Sequence, residues 1–141
     1  MTKMFSLVLA VSSLLIIGYV PVVSGQMDPN NTDGIYITEI ADSKLHRVEF
    51  VELFNASSQD VSLFGWVLEE NRGSSKSGGE VTTISLDGKI PANGFVIVAR
   101  NDDQSRFENY FRVKLANNVT YINSQDSLII NKPYQKFTLK K

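Results

Sequence analysis

The sequence predicts an all-β fold, a two-layer sandwich with one short helical insert, from three observations. Short β-branched and aromatic runs, such as 35–40 and 95–99, recur along the chain between polar turns. The pair Asp87-Gly88 is typical of a tight turn between strands. Helical spacing of apolar residues occurs at 102–111. The sequence has no cysteine, so an apolar core has to stabilise this fold without disulfides or thiolate metal sites.

The N-terminal segment 1–25 is predicted to be a signal peptide. Lys3 is followed by an uncharged apolar run, 4–20, and then by small residues in which Val23 and Gly25 fit the −3 and −1 positions of a cleavage site. The alternative, an uncleaved membrane anchor, is less favoured because the run is shorter than the roughly 20 residues that span a bilayer. Either way, we expect the folded part to be secreted or displayed at the cell surface.

The remaining chain divides into a flexible polar leader, 26–34, and one domain, 35–141. The first predicted strand is 35–40. In the second, 48–54, strict apolar alternation fails, because Val51 and Leu53 lie on one face while Phe50 and Phe54 lie on the other. A register slip of one residue would invert these assignments, since successive side chains point to opposite faces.

In the next strand, 61–68, Leu63 and Trp66 are both expected in the core, but residues three apart in a regular strand point to opposite faces. A bulge or kink at Gly65 would bring the two side chains to the same face. A fourth strand is predicted at 81–86, and the apolar run 95–99 suits a central strand covered on both faces. The predicted core residues are Ile37, Val51, Leu53, Leu63, Trp66, Leu68 and Ile97.

The helical segment 102–111 begins at Asp102 or Asp103, either of which can cap a helix. Its aromatic side chains recur at i, i+3 and i+4, so we expect a short helix that plugs one end of the sandwich. These side chains are Phe107, Tyr110 and Phe111. The last two runs, 127–131 and 136–139, are expected to form a closing hairpin.

Several of these pieces together resemble the lamin tail domain family. They are the segment Glu49-Phe50-Val51-Glu52-Leu53-Phe54-Asn55, Leu63 with Gly65-Trp66, Ile37 with Glu39-Ile40, and the strand 90–99. The resemblance implies an immunoglobulin-like β-sandwich and a non-catalytic interaction module, similar to secreted prokaryotic members. It also implies that Val51 and Leu53 point inward, with Phe50 or Phe54 half-covered. In nuclear lamins the domain contacts DNA and chromatin proteins, a role that a signal peptide does not favour here.

The charge of the chain is unevenly spread, although its net value is −1. Six basic and thirteen acidic residues lie in 26–105, whereas seven basic and two acidic residues lie in 106–141. The favoured interpretation is that the two parts neutralise each other or are solvated. The alternative is a polyanion-binding or nucleic-acid-binding face formed by Arg112, Lys114, Lys132, Lys136, Lys140 and Lys141.

No catalytic set emerges from the titratable residues. His46, the one histidine, lies in a charged turn without a supporting nucleophile. Glu49 and Glu52 are three apart in a strand and therefore point to opposite faces; Glu39 could lie across from one of them, although a basic partner, Lys44 or Arg47, is the simpler expectation. The stretch 28–34 has calcium-type oxygen ligands but places its glycine wrongly. We expect neither enzyme activity, nor a metal, nor a cofactor.

Three sequons, at Asn30, Asn55 and Asn118, are candidate glycosylation sites, and Asn55 and Asn118 are expected to be accessible in a turn and a loop. The function that these features favour is a non-enzymatic binding or structural module outside the cytoplasm. Its partner would be an unidentified protein or envelope polymer, with nucleic acid as the alternative and a membrane contact only if the N-terminal segment stays uncleaved.

Overall fold

A computed structural model describes residues 34–42, 48–73, 80–130 and 135–141. The predicted signal peptide and almost all of the leader lie outside these residues, as do His46, Asn30 and Lys132. The strands are β1 (Ile35–Ala41), β2 (Phe50–Asn55), β3 (Val61–Ser62), β4 (Val67–Asn71), β5 (Val81–Ser85), β6 (Lys89–Ile90), β7 (Phe95–Ala99), β8 (Val119–Asn123) and β9 (Lys136–Lys140). The helix α1 spans Gln104–Phe111. In this described part, no helix combines the length and the apolar character needed to cross a membrane.

The strands form two main layers. A four-stranded sheet has the order β1-β2-β7-β8, a three-stranded sheet has the order β5-β4-β9, and β3 pairs with β6. The pairs in both main sheets are antiparallel except β7 with β8, which run parallel. The prediction of an all-β fold with one short helix is confirmed.

A core between the two layers is built from alternate residues of the facing strands. Val51 and Leu53 of β2 meet Leu68 of β4 there, together with Leu63 and Trp66 from the turn before β4. Each of these five side chains is at most 5% exposed. The strand periodicity therefore places the predicted core as expected at these positions.

Two other predicted core residues lie differently. Ile37 is only partly buried at the margin of the inter-layer core. Ile97 is buried, but on the opposite face of β7, in a second apolar cluster with Phe50, Ala99 and Phe107. The four-stranded sheet is thus covered on both faces, and β7, which lies between β2 and β8, is its central covered strand.

The expected bulge at Gly65 is instead a tight turn. The Trp66 N–H donates to the Leu63 carbonyl at 2.9 Å, and Gly65 has a φ of +82°. That pattern belongs to a type II turn, whose third position favours glycine because a β-carbon there is strained. The turn splits the predicted strand 61–68 into β3 and β4, which belong to different sheets.

The predicted closing hairpin is wrong. In the described residues 127–130 there is no strand, and β9 pairs with β4. The strand that sequence reasoning missed is β8, which pairs in parallel with β7. Parallel neighbours need a crossover connection, and here α1 lies within it. For that reason α1 covers the outer face of the four-stranded sheet, which corrects the expectation that it plugs an end.

Two fully buried glutamates hold the described segment 127–130, which is not hydrogen-bonded as a strand. The Ile130 N–H donates to Glu49 Oε2 at 2.9 Å, and the Ile129 N–H donates to Glu70 Oε2 at 3.3 Å. An arginine pairs with each carboxylate: Arg100 Nη1 with Glu49 at 3.2 Å, and Arg72 Nε with Glu70 at 2.8 Å. Glu49 is thereby a structural residue.

Candidate functional site

A pocket of about 50 Å³ opens between the outer face of the four-stranded sheet and the crossover that contains α1. We call it the outer-face pocket. Its walls are apolar apart from two carboxylates. The lining residues are Glu39, Phe50, Glu52, Phe95, Ile97, Phe107, Phe111, Val113, Leu115 and Val119.

The helix that forms one wall is fixed at both ends. The Asp103 side chain caps its N-terminus by accepting from the Arg106 N–H at 2.9 Å, and Arg112 ends it in the left-handed region with a φ of +54°. Phe107 and Phe111 then contact the Phe50 ring edge-to-face, with centroid separations of 5.4 and 5.6 Å. These contacts set the distance between helix and sheet.

Glu108 holds the next part of the wall. This buried side chain accepts from the Leu115 N–H at 3.2 Å, from Gln104 Nε2 at 2.9 Å, and from the Lys114 ammonium. The hydrogen bonds to Lys114 and Gln104 lower the pKa of Glu108. Because the carboxylate bridges the helix and residues 114–115, it positions Leu115 at the pocket. Tyr110 lies at the predicted helical spacing, but its side chain is 46% exposed.

Two glutamates come together at the pocket because β1 contains a bulge. Ile37 pairs with Leu53, but Glu39 pairs with Glu52, so Thr38 is the extra residue. Without the bulge, Glu39 would lie on the same face as Ile37 and point at the inter-layer core. The bulge turns Glu39 to the outer face and turns Ile40 toward the core.

The strand partner of Glu39 is therefore a second carboxylate, one of the two alternatives that the sequence left open. Glu52 is only 5% exposed, and its Oε1 accepts from the Thr38 hydroxyl at 2.7 Å. Within the described ranges, no lysine or arginine pairs with either glutamate, and no donor reaches Glu52 Oε2. Lys44 and Arg47, the expected partners, lie outside those ranges.

Burial raises the pKa of both carboxyls. At Glu52 the hydrogen bond from Thr38 opposes this effect, whereas the neighbouring Glu39 charge adds to it. A folded-state pKa above the unfolded value means that the native protein binds the proton more tightly. The two groups therefore destabilise the fold above their folded-state pKa values, and this penalty disappears as the pH falls to the unfolded value of about 4.5.

Glu52→Gln is accordingly expected to raise the free energy of unfolding at pH 7, because it removes a buried charge and keeps an oxygen that accepts from Thr38. The gain should shrink as the pH falls toward 4.5 and be absent below it. Urea unfolding of both proteins at pH 7, 5.5 and 4 measures the difference. If the free energy of unfolding of Glu52→Gln at pH 7 were equal to or lower than that of the wild type, the assignment of Glu52 as an uncompensated carboxylate would be wrong.

The basic residues predicted to bind polyanions are divided between opposite sides of the domain. Arg112 and Lys114 follow α1 on the outer side of the four-stranded sheet, whereas Lys136 and Lys140 lie on the exposed face of β9 in the other layer. Lys114 bonds to Glu108, Lys140 pairs with Glu69 at 2.7 Å, and Lys141 lies 5.5 Å from the Trp66 ring centroid. The fold does not assemble them into one face.

The candidate glycosylation sites also differ from expectation. Asn55 is fully buried, and its amide donates to the carbonyls of Gln59, Ile90 and Pro91 at 2.7, 3.2 and 3.0 Å. The folded domain has no room for a glycan there, which corrects the expected accessibility of this asparagine. Asn118 is exposed in the turn before β8.

Sequence comparison extends these geometrical findings. A family model described as Lamin Tail Domain matches residues 28–139. A comparison with curated proteins found no match. The matched range contains β1 to β8, all of β9 except Lys140, the helix, and the two glutamates that line the outer-face pocket.

Proposed function

The chain belongs to the lamin tail domain family, and from that premise we propose that it is a non-enzymatic binding module that acts outside the cytoplasm through its outer-face pocket. The family consists of immunoglobulin-like domains that are typically non-catalytic, and the two-layer fold agrees with this class. The predicted signal peptide supports the location. The partner would be a protein or envelope polymer that reaches the exposed side of the four-stranded sheet.

The pocket is the observation that carries this proposal. It is a preformed concavity whose surface is almost entirely apolar, and apolar concavities of this kind are where ligands commonly bind. Two of its lining residues, Glu39 and Glu52, have carboxyls whose pKa is raised by burial, and groups with raised pKa values in a cleft are typical of functional sites.

Blocking the pocket should abolish binding without unfolding the domain. Val113→Trp places an indole at the half-buried wall, and Ala116→Trp places the same group at an exposed position of the same connection, outside the lining. Each immobilised protein is incubated with secreted and envelope fractions of its host, and captured species are quantified. We expect wild type and Ala116→Trp to retain a common partner at least about tenfold better than Val113→Trp. Equal capture by all three would contradict the proposal.

Polyanion binding is the alternative function. It is less favoured because its candidate basic residues lie on opposite sides of the domain. A gel shift at low salt distinguishes the two, because binding through phosphates weakens steeply as salt is added. Two results together would support the alternative. The nucleic acid would be retarded by Val113→Trp, and this retardation would be lost when Lys136 and Lys140 are both changed to glutamate.

A further inference from the structure

The outer edge of β5, on the side away from β4, is an interaction surface for a second copy of the chain. We propose that β5 pairs antiparallel with β5 of that copy, with Thr83 opposite Thr83 on a twofold axis, so that the two β5-β4-β9 sheets join into one continuous sheet. This edge belongs to the layer that does not form the outer-face pocket. The inference therefore goes beyond the proposed function and is independent of it.

The outer edge of β5 presents backbone groups that a further strand can bind. The Leu86 N–H donates to the Trp66 carbonyl at 2.9 Å, and the Arg72 N–H donates to the Glu80 carbonyl at 2.8 Å. Hydrogen-bonded pairs alternate along an antiparallel ladder, so the even-numbered residues of β5 bond to β4 and the odd-numbered ones direct their N–H and C=O groups outward. These are Val81, Thr83 and Ser85. Among the strands that the structure describes, none pairs with this edge.

The other edges of the two main sheets, as described, are protected against pairing. The bulge at Thr38 interrupts β1, and β6 approaches β8, where the Thr120 hydroxyl donates to the Lys89 carbonyl at 2.7 Å. In β9, Lys136 and Lys140 would meet as like charges if that strand paired antiparallel with its own copy. The sequence of β5, Val-Thr-Thr-Ile-Ser, has no charge, glycine or proline, and its register with β4 is regular. Edge strands without such protection are the ones that pair with other chains.

The sequence of β5 also matches itself in the proposed register, which is the reason for a second copy as the occupant. The facing residues are Thr83 with Thr83, Val81 with Ser85, and Thr82 with Ile84. Pairs of threonine and β-branched residues are favourable across strands, and no like charges meet. Glu80, which precedes the strand, would lie opposite Leu86 of the second copy. Val81, which is 51% exposed in the single chain, would be covered by the added strand.

Sedimentation velocity of the purified protein, from about 1 to 500 μM, measures the association. We expect a monomer–dimer equilibrium with a Kd of about 10–100 μM, because about six backbone hydrogen bonds along one strand make a small interface. Thr83→Lys and Thr83→Glu should each weaken the dimer at least about tenfold, since like charges then meet on the axis. An equimolar mixture of the two variants should restore the dimer, because lysine then lies opposite glutamate.

Control variants separate this contact from other effects. Thr83 is exposed, so both of its variants should fold, which circular dichroism checks. Thr138→Lys places the same charge at an exposed position of β9, the opposite edge of the same sheet, and should leave the dimer unchanged. Val113→Trp, which blocks the outer-face pocket, should also dimerise as the wild type does. The pocket and the β5 edge can therefore fail separately.

Three outcomes would overturn the inference. The first is a wild-type protein that stays monomeric over the whole concentration range. The second is a dimer of unchanged affinity in both charged variants, because the contact would then lie elsewhere on the domain. The third is a mixture of Thr83→Lys and Thr83→Glu that stays monomeric when each variant alone is monomeric, because residue 83 would then not meet itself across the axis.

Discussion

Trp66→Ala is expected to lower the free energy of unfolding by about 3–5 kcal/mol, the usual loss when a large aromatic side chain is removed from a core. Trp66 is 5% exposed and belongs to the cluster between the two layers. A domain of this size is stabilised by about 5–15 kcal/mol in total, so the variant loses a large part of its stability. Thermal unfolding followed by circular dichroism should show a midpoint about 10–20 °C lower.

Trp66→Phe is the matched variant. It keeps an aromatic ring in the cavity and removes the indole N–H, which is buried and lacks a hydrogen-bond partner in the part of the chain that is described. Removing that donor offsets some of the packing loss, so we expect a decrease clearly smaller than that of the alanine variant. If Trp66→Ala left thermal unfolding unchanged, the core position of the indole would be wrong.

Glu70→Ala is expected to cost about 3–5 kcal/mol, because the mostly buried Arg72 loses its buried, hydrogen-bonded counter-ion and keeps the exposed Glu80 carboxylate at 3.7 Å. The Glu70 carboxylate accepts from Arg72 Nε at 2.8 Å, from the Ile129 N–H at 3.3 Å and from Gln135 Nε2 at 2.6 Å. Arg72 Nη2 also donates to this carboxylate, at 3.1 Å, so its removal breaks four hydrogen bonds and loosens the attachment of residues 127–130 between the layers. Urea unfolding at pH 7 measures the loss.

Glu69→Ala is the control, one residue earlier on the same strand. Glu69 points outward, and its recorded pairing is the exposed bridge to Lys140. Pairs of this type contribute about 0–1 kcal/mol, so we expect almost unchanged stability. Similar losses for the two variants would show that Glu70 is not a structural anchor.

Buried and half-buried glutamates thus have two roles in this domain. Glu49 and Glu70 each pair with an arginine and bind backbone N–H groups, so their charges are compensated and they stabilise the fold. Glu39 and Glu52 face each other at a pocket with raised pKa values, so their charges destabilise it.

Much of the fold was predictable from local sequence pattern. Val51 and Leu53 are buried as the family resemblance implied, and Leu68 is buried as predicted for its strand, since the period of a strand fixes which side chains share a face. The helix begins after Asp103 as a capping residue predicts. These features depend on neighbours within a few residues, which the sequence displays directly.

The tertiary structure alone decided how those elements combine. The parallel pairing of β7 with β8 joins strands from separate parts of the chain and thereby places α1 over the sheet. The bulge at Thr38 becomes visible only when β1 is paired with β2, and it brings Glu39 beside Glu52. Burial of Asn55 likewise follows from carbonyls of Ile90 and Pro91, which are distant in sequence. Local periodicity determines the face of each strand, but pairing between distant strands determines which faces meet, and the outer-face pocket is a product of that pairing.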